Sequence, residues 1–356
     1  MTAPPPPRAR PRALGVDVGE LATGPLNAIT DVPGVTVGHV TCWSDDPVAR
    51  TGVTAILPDS LEGVFHRPPA AGVAVLNGVG ELTGALSIAE LGFLDAPILL
   101  TGTPSVGRAF DAVVDAMFDA VPAVGVEDVV APVVGECNDS WLDDSRRRNV
   151  TVADCRRAIE SARGGPVAEG VVGAGTGMIT MEMKAGIGTA SRVLDGLGTV
   201  GVLVLSNFGA RRQLRVAGRP VGRALDADDA DDADRRGDGG SCIGIVLTDI
   251  PLDARQLTRV ARRVGLGLAR VGSVAGNGSG DIFCAVSVGN RVPRFASGIA
   301  PGNPLLVDDE IGAVFAATVE ATEESVLNAL FVADTVVGRD GHTAPGLPVE
   351  RVLSLL

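Results

Sequence analysis

At 356 residues the chain exceeds one average domain but stays within reach of a single large α/β sandwich, and 46% apolar residues supply a sizeable core. A net charge of -13 excludes a nucleic-acid binder, which needs a basic surface. Five scattered cysteines (Cys42, Cys137, Cys155, Cys242, Cys284) without a CxxC pair indicate neither a zinc ribbon nor a disulfide framework, and three histidines (His39, His66, His342) outside any HExxH pattern leave a His-dependent metal or triad enzyme few candidates.

The proline- and arginine-rich start reads as a mobile tail, taken here as 1–24, without the apolar stretch of a signal peptide. No run of about 18 uncharged apolar residues predicts a membrane span. A cytoplasmic protein is expected, with no membrane or nucleic-acid partner. Asn27 to Val40 reads as a Pro-Gly turn followed by an alternating strand, with further strands at 51–57 and 72–76. Apolar residues at helical spacing predict a helix over 79–92, and 97–100 returns to strand. A second helix is predicted over 105–120, with Val106, Phe110, Val113, Val114 and Met117 inward.

A strand is predicted at 129–136, a polar turn at Asn138-Asp139-Ser140, and a capping box at Thr151 to Asp154 opening a helix to about residue 162. Gly173-x-Gly175-x-Gly177 is not GxGxxG and precedes no Walker lysine, so a tight structural turn is the better reading than a phosphate site. Residues 199–206 form a core strand ending at Asn207. The run 226–238, with seven aspartates and two arginines, is the clearest linker in the chain. Beyond it come a strand at 242–247, a helix capped by Asp253, a turn at 276–281, a strand at 282–288 and helix over 308–336. Consecutive strands mixed with long helices favour a layered α/β sandwich over an alternating Rossmann sheet.

Gly239-Gly240-Ser241 stands between the acidic run and a core strand. Neither Ser241 nor Ser279 lies in a Gly-x-Ser-x-Gly elbow, and no histidine offers itself as their base. If the Gly240–Ser241 bond is cut, however, Ser241 gains a free α-amine with a pKa of about 7.7–8, partly neutral at cell pH and able to take the hydroxyl proton. By itself Gly-Gly-Ser before a strand is more often only a turn. Cys242 reads as a core thiol.

Several segments taken in order carry the decision: Ile29 to His39, Val134 to Asp139, Gly173 to Met178, Lys184 to Arg192, Asn207-Phe208-Gly209, Gly240-Ser241, Asn277 to Asp281, and Glu323 to Leu330. Together they resemble the self-processing L-aminopeptidase/D-esterase and β-peptidyl aminopeptidase family, over residues 25 to 356. The resemblance implies a four-layer αββα sandwich of N-terminal-nucleophile type, autocleaved into an α chain (25–240) and a β chain (241–356) of one catalytic domain. It implies Ser241 as nucleophile, Asn207 as the oxyanion amide, and Ser279 with Asp281 as the pair orienting the nucleophile. It implies no metal or organic cofactor.

Two positions depart from the family pattern. Asp281 stands where glutamate is common, and Trp141 where a tyrosine hydroxyl serves the oxyanion site; the chain contains no tyrosine. Glu136 reads equally as a seat for a substrate's ammonium group and as a buried acid satisfied by backbone amides. The expected activity is an aminopeptidase acting on small peptides, amides or esters, in a homo-oligomer. The alternatives are an ω-amino-acid oligoamide hydrolase and an uncut, inactive scaffold.

Overall fold

Side chains alternate across each long strand, so every strand of a two-sheet sandwich feeds two different layers. The computed structural model describes residues 8–228, 240–298 and 302–356. Nine strands build its two large sheets. In the first, β1 (Thr36–Asp45), β2 (Val48–Leu57), β4 (Ile98–Gly102) and β5 (Val133–Cys137) lie side by side in that order. In the second the order is β3 (Pro69–Gly78), β9 (Ser279–Arg291), β8 (Gly240–Thr248), β7 (Gly198–Phe208) and β6 (Ile187–Leu194). The pairs β4–β5 and β8–β9 are parallel, and the other neighbours are antiparallel.

The inward faces of the sheets meet in one buried cluster, where Ile98 and Leu100 join Leu203, Leu205, Ile243 and Ile245. The outward face of the second sheet, through Val202, Val204, Val246 and Phe283, is covered by α3 (Ala254–Val271) and α4 (Ile311–Val332). The outward face of the first, through Val53, Ala55, Leu99 and Val134, is covered by α1 (Val106–Ala120) and α2 (Val152–Glu160). The result is the four-layer αββα sandwich. Helix and sheet approach closely at Gly188 on β6, where a Cβ would overlap the Ser325 carbonyl oxygen of α4.

Several boundaries differ from expectation. The helix predicted over 79–92 is confined to Ala85–Leu91; residues 79–84 run as an extended loop, with the Val79 N–H on the Ser279 carbonyl (3.3 Å) and the Thr83 N–H on the Val134 carbonyl (3.0 Å). In α1 the buried face is Ala109, Ala112, Val113, Ala116 and Met117, while Phe110 is left partly exposed. Small alanines let the helix sit close on the sheet, and that outweighs burying a ring. Residues 129–132 are not strand, and the expected turn at 276–281 ends early because β9 already begins at Ser279. Of the acidic run, 226–228 belong to the short helix Gly222–Asp228, and 229–238 lie outside the described residues. The capping box is present, with Thr151 Oγ1 accepting from the Asp154 N–H and Asp154 Oδ2 accepting from the Thr151 N–H.

The largest correction concerns the N-terminus. Residues 8–24, expected to be mobile, are packed onto β6 and α4, with Val18 buried. What holds them is charge. Arg12 Nε donates to Glu324 Oε1 (2.6 Å), Asn27 Nδ2 donates to the same oxygen (2.7 Å), and the fully buried Arg192 donates to Glu324 Oε2 (2.7 Å) and Glu320 Oε2 (3.0 Å). Arg192 also gives an N–H to the Val18 carbonyl (2.7 Å), tying the strap to β6. A buried pair broken on one side leaves a stranded charge, at a cost of about 3–5 kcal/mol. Urea unfolding of Glu324→Gln is expected to show a loss of that size, whereas a change under about 1 kcal/mol would remove the network from its place as the fastener.

Candidate active site

The inward alternation of two central strands ends in polar residues at one end of the sandwich. On β7 the series Leu203, Leu205 is continued by Asn207, and on β8 the series Ile245, Ile243 is continued by Ser241. Ser241 and Asn207 are direct partners across the antiparallel ladder, and on its other side Ser241 lies level with Gly280 of β9. Backbone pairing thus brings residues from three distant stretches to one level.

Ser241 is nearly buried, and its Oγ donates to the carbonyl oxygen of Gly240 at 2.7 Å. Gly240 has φ +145°, and a Cβ there would overlap the Asn207 carbonyl oxygen, so only glycine can precede the serine in this backbone. Asn207 Oδ1 accepts from the Ile179 N–H (2.9 Å), which turns Nδ2 the other way, where one of its hydrogens goes to the Asn138 carbonyl (3.1 Å). On β9, Ser279 Oγ donates to Asp281 Oδ1 (2.9 Å), so the shorter aspartate does reach its serine. Burial raises the Asp281 carboxyl above its ordinary value, against the opposing hydrogen bonds of Ser279 and Asn77.

Gly240, Ser241 and Asn207 line a cavity of about 670 Å³ together with Glu136, Trp141, Asn138, Glu182 and Arg339. Ser279 and Asp281 stand behind its wall. Glu136 Oε1 accepts from the Glu81 N–H (3.1 Å) and Oε2 from the Thr103 hydroxyl, and burial raises its carboxyl above the ordinary value. A backbone N–H thus satisfies one oxygen, and the residue is also part of the cavity lining. Trp141 stacks on His342, with ring centroids 3.8 Å apart and planes inclined by 12°. Cys242 alternates to the opposite face, fully buried, where burial and the nearby Asp281 push its thiol well up; it is no rival nucleophile. The Gly173–Gly177 segment is a buried 3₁₀ turn, as expected.

Four supporting residues escaped the sequence reading. Asn77 on β3 donates to the Ala275 carbonyl (2.8 Å) and to Asp281 Oδ2 (3.3 Å), bracing the acid from a strand more than 200 positions away. His342 and Arg339 come from the C-terminal end and hold the 138–142 turn. Lys184, fully buried, donates to the carbonyls of Gly175, Met178 and Ala185 at 3.0, 2.7 and 2.6 Å, and so closes the loop whose Ile179 N–H orients Asn207. Of these, only Lys184 left a trace in the sequence, as a lone lysine in an otherwise apolar, glycine-rich stretch.

With this geometry in hand, comparison with known proteins is direct. The model of peptidase family S58 matches residues 27–344. The chain belongs to that family. It is 40% identical to the β-peptidyl aminopeptidase BapA of Sphingosinicella microcystinivorans across 98% of this chain and 91% of that protein. Among solved structures it is similar to a β-aminopeptidase from a Burkholderia species (TM-score 0.90, 43% identity, 98% of both chains). It is also similar to the L-aminopeptidase D-Ala-esterase/amidase of Ochrobactrum anthropi (TM-score 0.89, 38% identity, 98% of both chains), described as a prototype serine aminopeptidase with a variant of the Ntn hydrolase fold. The S58 chain described here is accordingly an aminopeptidase. The matches lend nothing to an oligoamide hydrolase or an uncut scaffold.

The Lys184 ammonium has no carboxylate bonded to it among the described residues, and burial pushes its pKa from about 10.5 down to about 7. Between those values the unfolded chain holds a proton that the folded one has lost, so stability rises with pH. The contribution is complete only above about 10.5 and is lost as the pH falls to about 7. Urea unfolding at pH 7, 8 and 9 is expected to show this upward slope in the wild type and its loss in Lys184→Met. Equal slopes in the two proteins would contradict it.

Proposed function

We propose that the chain cuts itself between Gly240 and Ser241, and that the new N-terminal Ser241 is the nucleophile of an aminopeptidase acting on short β-peptides and related amides. The observation that carries this reading is the Ser241 hydroxyl held 2.7 Å from the Gly240 carbonyl oxygen, with Asn207 directly across the ladder. In the cut, Oγ attacks the Gly240 carbonyl carbon, the C–N bond breaks, and the hydroxyl proton passes to the departing nitrogen. This leaves an ester on Oγ and a free amine at Ser241. Water then hydrolyses the ester, leaving a carboxylate on Gly240 and the hydroxyl on Ser241. Described residues 25–228 and 240 then belong to an α chain, and 241–356 to a β chain.

In turnover the Ser241 amine takes the Oγ proton as Oγ adds to the substrate carbonyl, and returns it to the leaving amine. The second N–H of Asn207 meets the developing oxyanion. Ser279 and Asp281, backed by Asn77, hold the β9 side of the nucleophile's strand. Ionised Glu136 receives the substrate's ammonium group, which restricts cleavage to N-terminal residues. Trp141 stands where the family pattern has a tyrosine hydroxyl and brings an indole N–H that donates but cannot accept, so more of the oxyanion stabilisation is assigned to Asn207 and backbone amides. The β-amino-acid preference is drawn from the relatives' activities. Five free cysteines support a cytoplasmic setting, and apolar residues left at the surface, such as Leu91 and Val129 around a hollow of about 320 Å³, support a homo-oligomer.

The test is kcat/KM for β-alanyl-, L-alanyl- and D-alanyl-p-nitroanilide, measured from pH 5 to 8 on the wild type and Glu136→Gln. The β-alanyl substrate is expected to lead. Because Glu136 binds as a carboxylate and its pKa is raised, KM should climb as the pH falls through a value above 4.5. Glu136→Gln should start about tenfold higher in KM and lose that pH dependence. Equal loss on an N-acetylated substrate would remove Glu136 from the ammonium site.

A further inference from the structure

The charges lining the cavity are unevenly arranged. Among the described lining residues Glu81, Glu136 and Glu182 are acids, and Arg339 is the one cation. Glu136 is tied to the 81 and 103 loops, whereas Arg339 is tied to the 138–142 turn.

Arg339 is firmly mounted. Its backbone N–H donates to the Leu142 carbonyl (2.9 Å) and its side-chain Nε to the Ser140 carbonyl (2.8 Å). The segment that carries it is held by pairing of Val336–Val337 with Thr343–Ala344, and by His342, whose Nδ1 donates to the Trp141 carbonyl at 2.9 Å beneath the ring stack. The same turn presents the Asn138 carbonyl to Asn207. Arg339 is therefore positioned relative to the reacting carbonyl through a short chain of fixed contacts. Its nearest acid is Asp340, 3.6 Å away and 73% exposed, a pair in water that a better carboxylate can displace.

We propose that Arg339 receives the free C-terminal carboxylate of the substrate, so that the preferred substrates are short peptides recognised at both charged ends. This deepens the aminopeptidase reading of the same site and rests on it. An ammonium on Glu136 and a carboxylate on Arg339 pair each charged end of a short peptide with the opposite charge in one cavity. A guanidinium suits this task because its planar fork matches a carboxylate. A peptide capped as an amide loses the charge-assisted contact and leaves the guanidinium facing a neutral group.

The test is kcat/KM for β-alanyl-L-alanine against β-alanyl-L-alanine amide, followed by chromatographic release of β-alanine at fixed ionic strength. The wild type is expected to favour the free acid by about tenfold or more. In Arg339→Gln, whose amide can still donate to the Ser140 carbonyl, the ratio should fall to near one, and Arg339→Lys should retain an intermediate preference. A purely structural Arg339 would slow both substrates together and leave the ratio unchanged, which overturns the proposal. So does a wild-type ratio near one, a result that stands even if the variants fail to fold. Turnover of neither compound by the wild type defeats the aminopeptidase reading itself, and this proposal with it.

Discussion

Strand pairing around Ser241 is the constraint on which the site depends. The β7–β8 ladder places Asn207 across from Ser241, and the β8–β9 ladder sets Gly280 level with it, between Ser279 and Asp281. A slip of one residue in either ladder would turn the polar side chains to the opposite face and put core residues in their place. The register is fixed by the rest of the sandwich, since Leu203, Leu205, Ile243 and Ile245 are buried between the sheets only in this alignment. Core packing and site geometry are one requirement.

The backbone just before Ser241 accepts only glycine. Gly240 adopts a φ that other residues avoid, pressed against the Asn207 backbone. Around it the support is rigid and polar: Lys184 and Ile179 orient Asn207 from one side, and Asn77 braces Asp281 from the other. The C-terminal segment 336–344 closes the wall through Arg339, His342 and the ring stack on Trp141. The tryptophan is thus a built part of the cavity, held by a partner that a tyrosine's smaller ring would meet differently.

What could be read in the chain follows physical lines. Ser241, Asn207, Ser279 and Asp281 could be named as candidates because they stand at the ends of apolar strands and their order resembles that of a known family, and the register brings Ser241, Asn207 and Gly280 to one level. Layering was legible from the mixture of strands and helices. The N-terminal strap was not, because Arg10 and Arg12 look like tail charges until Glu169 and Glu324 are folded beneath them. The 79–84 loop mimicked a helix by spacing, yet its N–H groups are claimed by β5 and β9 residues. Asn77, Arg339 and His342 were invisible for a simpler reason: each acts on a partner at least 198 positions away, and a lone polar residue announces no such contact.

The central claim is that the Gly240–Ser241 bond is broken by Ser241 itself. Mass measurement of the purified, denatured protein, with N-terminal sequencing, tests it directly. The account predicts two polypeptides in the wild type, one of them beginning at Ser241, and a single uncut chain in Ser241→Ala. An intact wild-type chain with full aminopeptidase activity, or the same cut in the alanine variant, would contradict it.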